Sequence, residues 1–286
     1  MKLVNSVTSA DGSVKHVWYV AERIFLESIR FQYGDGLHIC ISSQAGCPVG
    51  CVFCETGRVR RNRNLTVEQI VQQVAATLTA HESRYAVVQF AGMGEPLFNF
   101  AAVAAATDEL LDRGLTNAVT LTTSGIVPRI RELARTRVER LNVSLHATDN
   151  VTRTTLMPIN RRFPIDELIA ASTDYKLETG HRVTMNYLLF DGVNDSDADL
   201  DRLVRLLDPA LFSVRLKAWN EIAATDLRIS PPERFAKFVD TLDIEGFDVT
   251  ICESIGQDIA GGCGQLSADH GAARIDRAPS SRTAVV

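Results

Sequence analysis

Short apolar stretches alternate with longer amphipathic stretches along most of this chain. The apolar stretches predict strands, at residues 37–43, 85–91, 118–123, 140–145, 183–190, 212–218 and 248–252. The amphipathic stretches predict helices, at residues 66–80, 100–113, 128–135, 165–178, 197–207 and 232–242, and Thr66 with Gln69 forms a capping-box pattern at the first of them. Strands that alternate with helices favour a parallel sheet, so the predicted fold class is α/β, a partial or full (β/α) barrel.

The two ends of the chain differ from this alternating middle. Near the N-terminus, Asp11-Gly12 separates apolar stretches at residues 3–7 and 14–20, a pattern typical of a β-hairpin. Residues 267–286 are polar and have no apolar periodicity, which predicts a disordered tail. We therefore expect an N-terminal β-hairpin extension at residues 1–35, a barrel domain at residues 36–266, and a tail after it.

Four of the six cysteines lie within residues 40–54, and Cys47, Cys51 and Cys54 follow a C-x3-C-x2-C pattern. Three thiolates on one loop can bind three irons of a 4Fe–4S cluster and leave the fourth iron open to a substrate. A zinc site would use four ligands, usually in pairs, and a disulfide framework would spread its cysteines through a shorter chain. We therefore favour an iron–sulfur cluster over a zinc or disulfide loop, with Phe53 shielding it.

Composition limits the class of protein. The chain has 286 residues, 45% of them hydrophobic, which is enough for one large domain with a buried core. It shows no signal-peptide pattern and no apolar run of the roughly 20 residues that a membrane span needs, and its thiols are clustered. We therefore expect a cytoplasmic protein. The net charge of −5 argues mildly against a large RNA substrate, although a local basic patch can suffice.

The cysteine spacing, with an aromatic residue just before the last cysteine, resembles the radical S-adenosylmethionine (radical SAM) superfamily. Seven stretches further resemble the RlmN/Cfr family of methyltransferases, at residues 40–47, 63–66, 92–97, 144–147, 157–161, 191–195 and 262–266. They occur in this order along the chain. The resemblance implies a radical SAM barrel and C-methyltransferase activity.

The resemblance also implies cofactors and the residues that bind them. The cofactors are a 4Fe–4S cluster on Cys47, Cys51 and Cys54, and S-adenosylmethionine bound by Gly94, Glu95, Thr122, Ser144, His146 and Asn220. Glu95 would accept a hydrogen bond from the amino group of S-adenosylmethionine. His146 taken alone would be interpreted as a core histidine, and its place in Ser144-Leu145-His146-Ala147 favours the cofactor site. Most of these residues lie near the ends of predicted strands, so we expect them to converge on one edge of the barrel.

Two further cysteines have roles that only the resemblance implies. Cys263 lies in a glycine-rich segment that is too flexible for a packed core, whereas Cys252 follows apolar residues and is interpreted as structural. By resemblance, Cys263 accepts a methyl group from one S-adenosylmethionine. A radical generated from a second S-adenosylmethionine activates that methyl group for addition to an sp2 carbon. Cys40 then removes the substrate proton, and a Cys40–Cys263 disulfide releases the product. An electron donor such as flavodoxin or ferredoxin is implied as a partner.

The substrate stays open between alternatives. A basic run at Arg58, Arg60, Arg61 and Arg63, with a second small group at Arg161 and Arg162, is either a phosphate-binding surface or a solvated face. The family favours RNA (rRNA or tRNA), methylated on an adenine carbon. The family's N-terminal helical domain is not in this sequence, and Lys15 stands where the family tends to have glutamate. A small molecule or peptide substrate is therefore the alternative. A non-catalytic iron–sulfur or zinc regulator is a third reading, which the presence of Cys40 and Cys263 disfavours.

Overall fold

The structure is a computed structural model that describes residues 1–34, 36–59, 62–79, 82, 86–223, 225–252 and 254–267. Its strands are β1 Lys2–Thr8, β2 Val14–Ala21, β3 Ile24–Tyr33, β4 Gly36–Ile41, β5 Gln44–Ala45, β6 Arg63–Asn64, β7 Ala86–Phe90, β8 Ala118–Thr123, β9 Arg140–Ser144, β10 Arg182–Leu188, β11 Phe212–Lys217 and β12 Val249–Cys252. Its helices are α1 Val67–Ala75, α2 Phe100–Asp112, α3 Val127–Leu133, α4 Asn150–Leu156, α5 Ile165–Thr179, α6 Asp197–Leu206 and α7 Pro232–Ile244.

One mostly parallel sheet carries the fold. Ten strands pair in the order β1-β2-β3-β4-β7-β8-β9-β10-β11-β12, and all pairings from β4 to β12 are parallel. Among the described residues no pairing of β12 with β1 closes the sheet, so the barrel is partial. This confirms the predicted α/β class. Because the parallel strands all end at the same edge, the loops that follow them meet there.

Most predicted elements are present with small shifts at their ends. The predicted capping box is confirmed: the Gln69 amide donates to Thr66 Oγ1 at 3.2 Å, and the Thr66 amide donates to Gln69 Oε1 at 3.1 Å. Helix α1 ends at Ala75, five residues before its predicted end. The predicted helix end at residue 80 and the predicted strand start at residue 85 lie outside the described residues. Sequence patterns did not predict α4, a seven-residue helix capped by Asp149.

The N-terminal segment contains more than a hairpin. Strands β1 and β2 pair antiparallel around the turn at residues 9–13, as predicted. A third strand, β3, was not predicted, and it pairs with β2 on one side and β4 on the other. Backbone hydrogen bonds therefore cross the boundary predicted at residue 35, which stays a prediction. The predicted tail lies outside the described residues except for Ser267, which is buried.

The parallel sheet buries two chemically different faces. Apolar residues such as Val143, Met185 and Leu216 belong to the main core, which the helices share. Side chains alternate along a strand, so the intervening positions face the opposite side. Those positions are polar: Asn142 and Ser144 on β9, Thr184 and Asn186 on β10, Arg215 and Lys217 on β11. A partial barrel with a polar concave face is suited to a polar ligand rather than to a packed core. Among the described residues no helix combines the length and apolar composition of a membrane span.

Candidate active site

The cysteine loop, residues 47–54, follows β4 at the edge where the parallel strands end. Pairing of β5 with β6 holds its two flanks together. Burial raises the pKa of Cys47 to about 12, and it raises the pKa of Cys51 and Cys54 above their usual range. For Cys51, the negative charges of Cys54 and Cys47 are the next causes, so the three thiols are close neighbours. Three partly buried thiolates repel one another unless a cationic group lies between them.

These residues fit an iron–sulfur cluster better than a single ion. Among the described residues, no group of three or more His, Cys, Asp or Glu side chains converges closely enough to hold one metal ion. A 4Fe–4S cluster takes one thiolate per iron, so its ligands need not converge on one atom. This donor set and spacing argue against the zinc alternative. All six cysteines are free, so the Cys40–Cys263 disulfide is not formed in this structure.

A buried arginine lies behind the cysteine loop. Arg153, on α4, is fully buried and donates to the carbonyl oxygens of Leu145, Ser144 and Ser124 and to Asn160 Oδ1, at 2.8 to 3.0 Å. Its helix contacts the loop directly, because the Val52 amide donates to Leu156 O at 3.0 Å. Burial lowers the pKa of Arg153 to about 10, and the Cys51 thiolate opposes that shift. The sequence analysis missed Arg153 because it missed α4.

Replacing Arg153 with methionine should lower the free energy of unfolding by about 3 kcal/mol, because two buried and two part-buried acceptors lose their donor at once. Chemical denaturation of the wild type and the variant measures the effect. Arg131→Met is the matched control, since Arg131 is exposed and pairs with Asp174 at the surface; its effect should stay within about 0.5 kcal/mol. An Arg153→Met protein as stable as that control would contradict the role assigned to these contacts.

Gly94 and Glu95 follow β7 and pack on β5, which lies just before the cysteine loop. Gly94 has φ of +100°, and a Cβ there would lie 2.6 Å from the Gln44 side chain, so only glycine fits. Glu95 is buried, and its carboxylate accepts from the Leu97 amide (3.0 Å), Thr123 Oγ1 (2.7 Å) and the Ser124 amide (2.6 Å). Burial nevertheless raises the pKa of Glu95. A carboxylate has about four acceptor positions, so room for one further donor, such as an ammonium, remains.

Thr122, Ser144 and His146 lie at the ends of the next strands. Thr122 and Ser144 are partly exposed on the polar face, and Asn142 Nδ2 donates to Thr122 Oγ1 at 3.4 Å. His146 is buried with φ of +55°, and its Nδ1 accepts from the Leu188 amide at 3.0 Å. Burial lowers the pKa of His146 well below its usual value, so the ring is neutral at pH 7.

An aromatic contact links His146 to the cysteine loop. The His146 ring packs edge-on against Phe53, with the ring centroids 5.1 Å apart. Phe53 also contacts Phe190, and its carbonyl accepts from Trp219 Nε1 at 3.0 Å. These contacts of Phe53 therefore pack the cysteine loop against His146, Phe190 and Trp219.

Asn220 joins β11 to the C-terminal loop, residues 254–267. Its Nδ2 donates to Cys263 O at 3.1 Å, and its Oδ1 accepts from Ser254 Oγ and from Gln257 Nε2 (3.1 Å). A Cβ at Gly262 would lie 2.6 Å from Asn220 Nδ2, which explains the glycine. Asn220 thus holds the loop of Cys263; its predicted contact with S-adenosylmethionine stays a prediction.

Cys263 is exposed on the C-terminal loop, beside the cysteine loop. The Glu55 amide, directly after Cys54, donates to Gly264 O at 2.7 Å, and Thr56 Oγ1 donates to Leu266 O at 2.5 Å. Burial, and after it the nearby Cys263, raises the pKa of the Cys40 thiol to about 12. Cys263 therefore lies close to Cys40 as well as to the cysteine loop.

Lys217 is a candidate functional residue that sequence analysis missed. Its Nζ donates to Cys263 Sγ at 3.9 Å, and its charge lowers the pKa of Cys40 against the effect of burial. It also contributes to the lowered pKa of His146. Lys217 is the last residue of β11, and its position two residues after Arg215 is the signal that could have placed it on the polar face.

Of the predicted basic residues, Arg60 and Arg61 lie outside the described residues. Arg58, Arg63, Arg161 and Arg162 are all exposed. Arg58 ends a short 3-10 turn that begins directly after Cys54, and Arg161 and Arg162 follow α4, whose end contacts the cysteine loop. The turn that contains Arg58 and the helix that precedes Arg161 therefore both adjoin the cysteine loop.

Sequence comparison defines the class of enzyme. The pattern of the Radical SAM superfamily matches residues 41–207, which span the cysteine loop and the strands up to α6. A crystal structure of a radical SAM methyltransferase from Sphaerobacter thermophilus superposes with a TM-score of 0.89 and 39% identity, and covers 94% of this chain and 81% of that one. The chain is therefore a radical SAM methyltransferase with the fold of that class.

The relatives narrow the family. "Dual-specificity RNA methyltransferase RlmN" from Anaeromyxobacter sp. (strain Fw109-5) is 37% identical over 92% of this chain and 73% of the relative. "Probable dual-specificity RNA methyltransferase RlmN" from Frankia casuarinae is 40% identical over 93% of this chain and 67% of the relative. The chain belongs to the RlmN-type methyltransferases.

Proposed function

We propose that this enzyme methylates an sp2 carbon of an RNA base, through a methyl group carried on Cys263. The observation that carries the proposal is the hydrogen bond from the Glu55 amide to Gly264 O, because it joins the loop of Cys263 to the loop of the cluster ligands. The names of the relatives and the exposed arginines beside the cysteine loop support RNA as the substrate. RNA and six free thiols suit a reducing cytoplasm.

Different residues of this chain bind the cluster and S-adenosylmethionine. When bound, a 4Fe–4S cluster on Cys47, Cys51 and Cys54 and S-adenosylmethionine supply the radical chemistry that activates an S-methyl group. Glu95 and the neighbouring strand ends hold S-adenosylmethionine and exclude water. A flavodoxin or ferredoxin as electron donor is part of the proposal.

Cys263 and Cys40 act in sequence. The Cys263 sulfur bonds to the methyl carbon of S-adenosylmethionine as that carbon's bond to the sulfonium breaks, and Lys217 places a positive charge beside the sulfur. The radical chemistry removes one hydrogen atom from this methyl group and joins its carbon to the acceptor. The adduct then loses one proton to Cys40 and one electron to the oxidised form of the electron donor. The Cys40 sulfur then bonds to the Cys263 sulfur, the bond from Cys263 to carbon breaks, and the product carbon takes up a proton.

Incubation of the reconstituted enzyme with methyl-labelled S-adenosylmethionine, a reductant and RNA should yield a C-methylated adenosine, detected by mass analysis of nucleosides. RNA affinity should fall with salt, and replacing Arg58 or Arg63 with methionine should each reduce the slope by about one unit, since each releases one counterion.

Arg135→Met is the matched control, because Arg135 lies between α3 and β9, at the opposite edge of the sheet. It should leave the slope unchanged. Label that appears only in a peptide or small molecule, with no salt-dependent RNA binding, would replace the RNA proposal with the alternative substrate class.

A further inference from the structure

The C-terminal loop places Cys263 with very little regular structure. Within residues 254–267 the only helical element is a three-residue 3-10 turn, Gln257–Ile259, flanked by left-handed Gly256 and Ala260. Cys263 itself is exposed. Its position must therefore come from contacts that reach the loop from elsewhere in the chain. Those from Asn220, Glu55 and Thr56 hold it on the side of the cysteine loop.

The opposite side of the loop is held by a buried ion pair of the N-terminal strands. Lys15, on β2, and Glu27, on β3, lie 3.3 Å apart (Nζ to Oε1), with side chains 6% and 0% exposed. Lys15 Nζ also donates to Ala260 O at 3.2 Å, and Glu27 Oε2 accepts from the Ser267 amide at 3.0 Å. The pair thus grips the loop three residues before Cys263 and four residues after it.

A buried ion pair is a poor source of stability by itself. Removing two charges from water costs about as much as their attraction returns, and well-packed apolar residues often replace such a pair without loss. Apolar residues cannot replace the hydrogen bonds of the pair to the loop. Lys15 donates to a carbonyl of the loop, and Glu27 accepts from one of its amides. Stability alone therefore does not explain the Lys15–Glu27 pair and its two hydrogen bonds to the loop.

The surroundings of the pair extend the same connection. In the hairpin turn, Asp11 Oδ2 accepts from the Gly256 amide at 2.7 Å, and the Ala10 amide donates to Asp258 Oδ2 at 3.0 Å. The Glu27 backbone also reaches the cofactor side, because Ser42 Oγ donates to Glu27 O at 2.5 Å. The Met93 amide in turn donates to Ser42 Oγ at 2.8 Å. One strand thus touches both the loop of Cys263 and the segment before Gly94.

We propose that the Lys15–Glu27 pair is the positioning device of Cys263, holding its loop in register with the cysteine loop and Cys40. This inference rests on the proposed role of Cys263 as methyl carrier. It gives Lys15 a function at a position where the family resemblance leads one to expect glutamate. Lys15 and Glu27 are positioning residues, because they act on Cys263 through Ala260 and Ser267.

The test removes both charges together, as Lys15→Met with Glu27→Met in the full-length, cluster-reconstituted enzyme. Hydrogen–deuterium exchange in residues 254–267 should rise by roughly tenfold, while exchange in β7 to β10 stays unchanged. Single-turnover S-methylation of Cys263 should slow on the order of tenfold to a hundredfold, because a displacement of about 1 Å has that effect. Alkylation of Cys263 by iodoacetamide should stay within about twofold, since it needs no alignment.

Two further variants test whether the effect depends on these particular hydrogen bonds or only on the loss of an ion pair. Arg30→Met with Glu82→Met removes a part-exposed ion pair (2.7 Å) that also involves β3. The other hydrogen bonds of its side chains run to Thr77 and Thr79, so this variant should change none of these rates. Lys15→Glu with Glu27→Lys keeps opposite charges but turns an acceptor toward Ala260 O and a donor toward the Ser267 amide. It should methylate Cys263 as slowly as the double methionine variant. If the double methionine variant does not fold, the charge-swapped variant replaces it in the test, with the same expected result.

The possible results distinguish failure of this inference from failure of the proposed function. Wild-type S-methylation in the double methionine variant, unchanged exchange in residues 254–267, or full recovery in the charge-swapped variant would each overturn the inference. Failure of the proposed function has a different signature, which is the absence of S-methylcysteine at position 263 in the wild type. In that case the exchange measurement still decides whether the pair holds the loop.

Discussion

Replacing Cys263 with serine should abolish methyl transfer to any acceptor, with a loss of at least about a thousandfold, as expected when a nucleophile is removed. Serine hardly changes the volume, and the contacts of Asn220 with Cys263 O and of Glu55 with Gly264 O involve the backbone, so the loop should keep its position. The hydroxyl is not ionised at neutral pH, whereas a thiolate is the reactive form of cysteine. Peptide mass analysis for S-methylcysteine and transfer of a methyl label measure the effect.

Cys40→Ala is the informative contrast to that variant. Without the Cys40 sulfur, the acceptor joined to Cys263 loses its proton acceptor and its disulfide partner. Protein covalently attached to the acceptor should therefore accumulate, visible as a mass shift on the peptide that contains Cys263. Cys252→Ser is the control, because Cys252 ends β12 outside the proposed chemistry, and it should retain activity. Full activity in Cys263→Ser would refute the methyl-carrier role, whatever the substrate.

Replacing Cys51 with alanine should remove the iron–sulfur cluster and with it all radical chemistry. Cys51 is close to both other thiols of the loop, since the charges of Cys54 and Cys47 both raise its pKa after burial. With two thiolates left on the loop, one of the three ligated irons loses its protein ligand. Iron and sulfide content and the visible absorption of the anaerobically reconstituted protein measure the result. Cys47→Ala and Cys54→Ala should behave in the same way.

Two of the three cysteines outside the loop are the controls for the cluster. Cys263→Ala and Cys252→Ala should bind as much iron as the wild type, because neither belongs to the C-x3-C-x2-C pattern. Equal iron loss in all of these variants would instead indicate general unfolding, which circular dichroism distinguishes. Stoichiometric zinc without iron-dependent absorption in the wild type would contradict the radical assignment of the cysteine loop.

Local patterns were enough to define the framework of this protein. Alternating apolar and amphipathic stretches predicted the strands and helices of the α/β fold, because periodicity reports which face of an element is buried. The capping box of Thr66 and Gln69 was predicted as it stands, since both of its hydrogen bonds join residues three apart. The C-x3-C-x2-C loop was equally readable, because all three thiols lie within eight residues. The placement of Glu95 and His146 after strand ends followed from the order of the elements.

The tertiary structure decided what depends on distant partners. Lys15 meets Ala260 across 245 residues, Glu27 meets Ser267 across 240, and Lys217 meets Cys263 across 46. No local pattern encodes such pairs, so Lys15 had no predicted role and Lys217 was missed. Asn220 was predicted to bind a cofactor, which stays a prediction, and only its contacts with Cys263 and Gln257 showed that it holds the C-terminal loop. The sequence thus specified most of the elements and the candidate cysteines, whereas the folding of the C-terminal loop onto the N-terminal strands determined which side chains surround Cys263.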